Sequence, residues 1–204
     1  MTYALIKGGT FTLGWRFQLP ADLADDPDAL AAAQSYVSRC SPQRVVTIPS
    51  FHIATEPAPL EDLVGDPYDL TVSDLASLCH LLDSELEPMG LRLPTEDELE
   101  IAAGGTLFPW GDRIPDGIPY QDETAFDAHR RPNAFGLSFL ANPYRTEVSR
   151  TALKFGDGGS AICGGEPWPL AWIAMSNCYR LSDSEISDCF LETLEEAFVR
   201  PVRR

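Results

Sequence analysis

Leu91-Arg-Leu-Pro-Thr-Glu-Asp-Glu-Leu-Glu-Ile-Ala-Ala-Gly-Gly105, followed after a short gap by Phe108-Pro-Trp-Gly-Asp112, is the stretch from which the fold is read. Pro94 fixes its own φ and disfavours helix at Leu93, so Arg92-Leu93 reads as extended chain running into a turn. Thr95 is placed to cap a helix, and Glu98 three residues on completes a capping box. Leu99, Ala102 and Ala103 give that helix an apolar stripe, and Gly104-Gly105 stop it. Pro109-Trp110-Gly111-Asp112 reads as a tight turn carrying a large aromatic side chain.

The same residues resemble a known family. Arg-Leu-Pro-Thr-Glu-x-Glu-x-Glu-x-Ala-Ala followed by Pro-Trp-Gly-Asp is similar to the central signature of the formylglycine-generating-enzyme (sulfatase-modifying factor) family. Further matches lie on both sides. Ile6, Gly8, Gly9, Phe11 and Gly14 resemble the family's opening strand pair, and Val45 to Ile53 a later strand. The helix around Cys79 and the closing Ala197-Phe-Val-Arg-Pro-Val-Arg203 also match. The resemblance runs from about residue 4 to 203. It implies an α+β, C-type-lectin-like fold, with twisted, mainly antiparallel strands, packed helices and much irregular loop.

Composition sets the outer limits. The 204 residues suffice for one large domain, and the chain reads as a single domain over 1–204 with an inserted acidic helical segment at about 20–40. The formal net charge of −16 disfavours nucleic acid and anionic membrane as partners. The start lacks the basic and apolar regions of a signal peptide, and no run reaches membrane-spanning length. Five cysteines, irregularly spaced and without a CxxC pair, give no zinc signature. A cytoplasmic protein with mostly free thiols is the expectation.

Along the chain, Tyr3 to Leu13 reads as strand, turn at Gly8-Gly9 and second strand. Asp22, Asp25, Asp26 and Asp28 precede an alanine-rich helix ending near Ser38, read as a surface helix with docking to a basic partner as the alternative. Pro49 interrupts the strand from Val45 and marks an edge or a bulge. Pro57 to Pro67 reads as loop. Thr71 to Asp74 is taken as a cap for a helix burying Leu75, Leu78, Cys79 and Leu82. Asp112 to Pro132 is a polar excursion, and Val148 to Phe155 a strand turned by Gly156 to Ser160.

Chemistry, if present, concentrates near Gly158-Gly-Ser-Ala-Ile-Cys163. In the family such a run carries the first of two active-site cysteines, which together bind copper, and Ser160 and Cys163 match it residue by residue. The second cysteine is expected five residues later, where Trp168 stands. Cys178, in Ser176-Asn-Cys-Tyr-Arg180, aligns either with the family's second-cysteine segment or with a later strand that has no catalytic role; both alignments stay open. Soft thiolates suit Cu(I), so a copper-dependent oxidase that converts a peptidyl cysteine through Cys163 and Cys178 is one reading. Asn133 to Asn142 resembles a segment near which family members place calcium. Asn142 is kept, while Pro143-Tyr144-Arg145 replaces Val-Trp-Glu and sets a cation near an acid's place.

The favoured reading is a non-catalytic ligand- or protein-binding module, a pseudoenzyme similar to the variable proteins of diversity-generating retroelements. Its partner would be a protein or peptide, and its binding residues Trp168, Trp172, Asn177, Tyr179 and Arg180; for the insertion that holds Trp168 and Trp172, packing as core or walling the groove are the alternatives to a binding patch. The single histidines His52, His80 and His129 offer no facial iron triad. No Gly-x-Ser-x-Gly elbow occurs, and Gly156-Asp-Gly-Gly lacks a phosphate-loop lysine.

Overall fold

The computed structural model describes residues 1–16, 18–19, 21, 25–114, 131–140, 142, 144–163, 170–181 and 190–203. It is a mixed α+β structure whose sheets are mainly antiparallel. Strands β1 (Tyr3–Ile6), β2 (Gly9–Leu13), β3 (Arg44–Ile48) and β4 (Phe51–Ala54) form one bent ribbon. β1 pairs with β4 and β2 with β3 in continuous register, Ile6 facing Phe51 and Gly9 facing Ile48. The opening strands are therefore not hairpin partners of each other. The ribbon breaks where Gly8 faces Pro49-Ser50: a Cβ on Gly8 would lie 2.5 Å from backbone atoms of both. Pro49, read as an edge or bulge, is one side of that break.

The acidic segment forms α1 (Pro27–Arg39), capped by Asp26, whose carboxylate accepts from the amides of Asp28 and Ala29. This helix is not merely solvated. Ala33 is fully buried, and Ala29, Ala32, Tyr36 and Val37 pack on the core. Within the proline-rich stretch read as loop lie β5 (Ala58–Pro59) and the single turn α2 (Glu61–Val64). Next comes α3 (Leu75–Leu86), whose cap is Asp74, not Thr71. Asp74 and Ser77 form the reciprocal box, and Leu78, Cys79, Leu82 and Leu86 are buried.

The quoted stretch folds as its local rules require. β6 (Leu91–Arg92) precedes α4 (Glu96–Ala102), and Thr95 and Glu98 make the expected capping box. Gly104 and Gly105 take positive φ and end the helix. Phe108 and Gly111 exchange backbone hydrogen bonds across the Pro-Trp turn. The Trp110 ring stacks on Phe108 at 4.8 Å and meets Trp172 edge-on at 5.7 Å.

The expected strand over Val148 to Phe155 is a hairpin, β7 (Thr146–Val148) with β8 (Leu153–Lys154). Gly156 to Ser160 does not turn; most of it enters α5 (Asp157–Cys163), which leads to α6 (Leu170–Ala174). α7 (Phe190–Glu195) is followed by β9 (Ala197–Val199) and β10 (Val202–Arg203). One sheet runs β1-β4-β10-β6 and another β5-β9-β7-β8, in which β7 and β9 are parallel.

Arg200 sits where the chain crosses from the second sheet to the first. Fully buried, it makes a two-pronged pair with Glu147 and donates to the carbonyl oxygens of Ala54, Thr55 and Ser138. Breaking a buried pair by removing one partner costs about 3–5 kcal/mol. Arg200→Met is expected to lose stability of that order in urea unfolding, and a loss below about 1 kcal/mol would contradict the crossing role given to Arg200.

Candidate functional site

Two sites emerge from the residues around α4 and α5, and they differ in character. The first is a buried charge cluster. Glu96, Glu98 and Glu100 read as a polar helix face, yet each is under 10% exposed. Lys154, fully buried on β8, donates to Glu96 at 3.0 Å and to Glu100 at 3.2 Å. Arg180 grips both oxygens of Glu96, and Arg92 both oxygens of Glu98. Arg44 donates to Asp97 and Glu100. Ser41 Oγ and the Gly14 amide complete the shell of Glu100. Four acids meet four bases, so the cluster is neutral and its charges are spent on each other.

Burial alone would raise the Glu96 carboxyl, but Lys154 and Arg180 outweigh it and hold it at about 2, against an ordinary value of 4.5. Next to this cluster lies a pair of buried thiols. Cys178 and Cys40 interact side chain to side chain. Ser176 Oγ lies 3.4 Å from Cys178 Sγ and 3.8 Å from Cys40 Sγ. The hydrogen bond with Cys178 and then burial push the Cys40 thiol up, so it stays protonated.

The second site is open. Cys163 ends α5 and is exposed, and its thiol hydrogen-bonds with the hydroxyl of Tyr144. That contact holds the Tyr144 phenol above its usual range. The Tyr144 ring lies on the α5 backbone: a Cβ on Gly159 would come within 2.3 Å of it, so the second glycine of the motif makes room for this ring. Phe155, at φ 76°, sets the direction in which the chain runs into α5, a left-handed conformation that costs an L-residue about 1–2 kcal/mol. Tyr144 is 46% exposed and walls a cavity of about 300 Å³ with Thr146, Gly156, Leu181, Glu192, Thr193 and Glu196.

The residues singled out in the sequence divide between these places. Cys163 belongs to the open site and Cys178 to the buried thiol pair, and no hydrogen bond joins the two among the described residues. A metal bridging them would require both sulfurs to leave their present partners. Ser160 lies on α5 beside Cys163 in the chain. Trp172, Asn177 and Tyr179, expected on a displayed surface, are each about 1% exposed and belong to the core. Trp172 packs on Phe108 and Trp110, while Tyr179 stacks on Tyr36 and accepts from Arg39. The Asn177 amide donates to the carbonyls of Ala103 and Thr106. Arg180 is half-exposed but occupied by Glu96. Trp168 lies outside the described residues.

Calcium does not fit at Asn142. Its side-chain oxygen accepts from the Tyr144 amide, and the guanidinium of Arg145 is turned onto the Phe198 ring at 3.8 Å. The nearest acid in sequence, Glu147, is taken up on both oxygens by Arg200. No three carboxylate, thiol or imidazole groups converge on one point among the described residues.

Sequence reasoning missed Lys154, Cys40 and Tyr144. Tyr144 carried a signal, since it stands at an aromatic position of the resembled segment. Lys154 and Cys40 carried none, because their partners lie far off in the chain. No family model matches this chain. Nor does any curated protein.

The depressed Glu96 carboxyl fixes a pH dependence. Its contribution is fully present above the unfolded value near 4.5 and is lost as pH falls towards about 2. The full contribution is on the order of 3 kcal/mol, most of it gone by pH 3. Denaturant unfolding at stepped pH is expected to show a steeper loss between pH 5 and 3 in the native protein than in Glu96→Gln. Parallel curves would contradict the assignment.

Proposed function

We propose that this chain is a non-catalytic binding module on a scaffold of the formylglycine-generating-enzyme, C-type-lectin-like type, similar in use to the variable proteins of diversity-generating retroelements. Its binding place is the cleft beside Tyr144, and its partner is a protein or peptide segment bearing Lys or Arg. The observation that carries this reading is the Tyr144 cavity. It joins an exposed aromatic wall and the apolar Leu181 to the carboxylates of Glu192 and Glu196, with no cation among its described lining residues. Such a lining recognises the aliphatic stem and charged head of a basic side chain together. The net charge of −16 draws a cationic segment toward it and speeds encounter.

The different surroundings of Cys163 and Cys178 also favour binding over oxidation. A two-thiolate copper site needs both sulfurs on one ion, whereas each here has its own partner. The buried aromatic residues around Trp172 then serve as core rather than as the contact surface.

Titrating the chain with Lys- and Arg-bearing peptides and with acidic counterparts tests this. Basic peptides are expected to bind, and more weakly as salt rises. Glu192→Gln with Glu196→Gln, or Tyr144→Ala, is expected to lower affinity by about tenfold, equal to about 1.4 kcal/mol. Absence of basic-peptide binding, together with Cu(I)-dependent oxidation of a cysteine peptide that Cys163→Ser abolishes, would replace the binding reading with the oxidase reading.

A further inference from the structure

We propose that Cys40 and Cys178 form a reversible disulfide when the folded protein meets a peroxide, stapling the end of α1 to the segment that follows α6. A backbone hydrogen bond and a shared hydroxyl place the two residues together. The Ser41 amide donates to the Cys178 carbonyl at 2.7 Å, which brings the two backbones into register. Ser176 Oγ lies within hydrogen-bonding reach of both sulfurs. Each thiol also shifts the titration of the other, Cys40 upward and Cys178 downward, as neighbouring sulfurs do. A disulfide needs Cα atoms within roughly 4.4 to 6.8 Å, and the Ser41–Cys178 backbone hydrogen bond brings the two chain segments side by side one residue from Cys40.

The surroundings favour one order of events. Cys178 is held below the ordinary thiol value, first by the hydrogen bond from Cys40 and further by Ser176 and the charge of Lys154. It is therefore the attacking sulfur. Its thiolate attacks one peroxide oxygen; an S–O bond forms, the O–O bond breaks, and the departing hydroxide takes up a proton to become water. The Cys40 sulfur then attacks the sulfenic sulfur of Cys178. The S–S bond forms as the S–O bond breaks, and the second oxygen leaves as water carrying the Cys40 proton. Two thiols lose two electrons in all, and one peroxide is reduced to two waters. A small thiol reverses the staple by exchange.

Neither cysteine is among the described residues that line the Tyr144 cleft, and no step of the binding reading uses the pair. Its placement is nonetheless structural in consequence. Cys40 directly follows α1, whose Tyr36 and Arg39 hold Tyr179 in the segment that follows α6. A bond there fixes the docked position of the acidic helix, because the cross-link closes a loop that encloses most of the chain and removes its freedom in the unfolded state.

The test is peptide mapping of the reduced, folded chain before and after stoichiometric hydrogen peroxide. The expected result is loss of two of the five thiols and a single cross-linked pair of peptides containing Cys40 and Cys178. The melting temperature should rise by about 5 °C or more and return on adding dithiothreitol. Cys163→Ser should leave the linkage intact, and Cys40→Ser should abolish it while leaving Cys163 titratable. Recovery of a Cys163–Cys178 linkage instead, or of a Cys40–Cys178 linkage only after unfolding, would overturn the proposal. Because the mapping is done on the native chain, a poorly folding variant does not decide the matter.

Discussion

Four acidic residues on a single short helix are what the rest of this structure must accommodate. Glu96, Glu98 and Glu100 lie inside the protein with Asp97 at its margin, and a buried carboxylate without a partner is costly enough to unfold a domain. The chain answers with four cations brought from distant places: Arg44 from β3, Arg92 from β6, Lys154 from β8 and Arg180 from beyond α6. Each is also a constraint on topology. β3 must pass one side of α4, the β7–β8 hairpin must lay Lys154 under it, and the segment after α6 must return along its start. Ser41 and Gly14 close the remaining positions around Glu100, so the ribbon and the end of α1 are tied to the same carboxylate.

Local rules made part of this legible and left the rest hidden. The capping box at Thr95 and Glu98, the Gly104-Gly105 stop and the Trp110 turn could be read because each depends on residues within five positions of each other. The acids of α4 could not be seen as buried, since nothing near them announces Lys154 or Arg180. The opening strands were recognisable as strands, but their pairing with β4 and β3 depends on the close approach of Gly8 to Pro49. Gly156 to Ser160 carries turn composition, yet the stretch is helical over Asp157–Cys163 because tertiary packing overrides propensity. Trp172 and Tyr179 have the look of a binding surface in sequence; packing on Trp110 and Tyr36 makes them core.

The same logic separates the candidate sites. The α4 cluster is neutral and closed, so it holds the molecule together and offers nothing to a ligand. The Tyr144 cleft is open, carries carboxylates with no cation among its described lining residues, and adjoins α5, where Gly159 lets the Tyr144 ring lie against the backbone. Beside the α4 cluster the thiols of Cys40 and Cys178 are buried and paired, while Cys163 is exposed and bonded to Tyr144. Among the described residues no helix is long and apolar enough to cross a membrane. The scaffold thus keeps its chemistry-bearing residues in three separate settings: one architectural, one displayed and one redox-sensitive.

The dependence of the fold on the α4 cluster is tested most directly by a double-mutant cycle at Lys154 and Glu100, using Lys154→Met, Glu100→Gln and the pair in denaturant unfolding. Each single change is expected to cost about 3 kcal/mol or more, because it leaves the buried network one charge out of balance. The double mutant should recover at least about 1.5 kcal/mol of the sum, the coupling expected of residues in one buried network. Single changes costing under about 1 kcal/mol, with additive effects in the pair, would contradict that dependence.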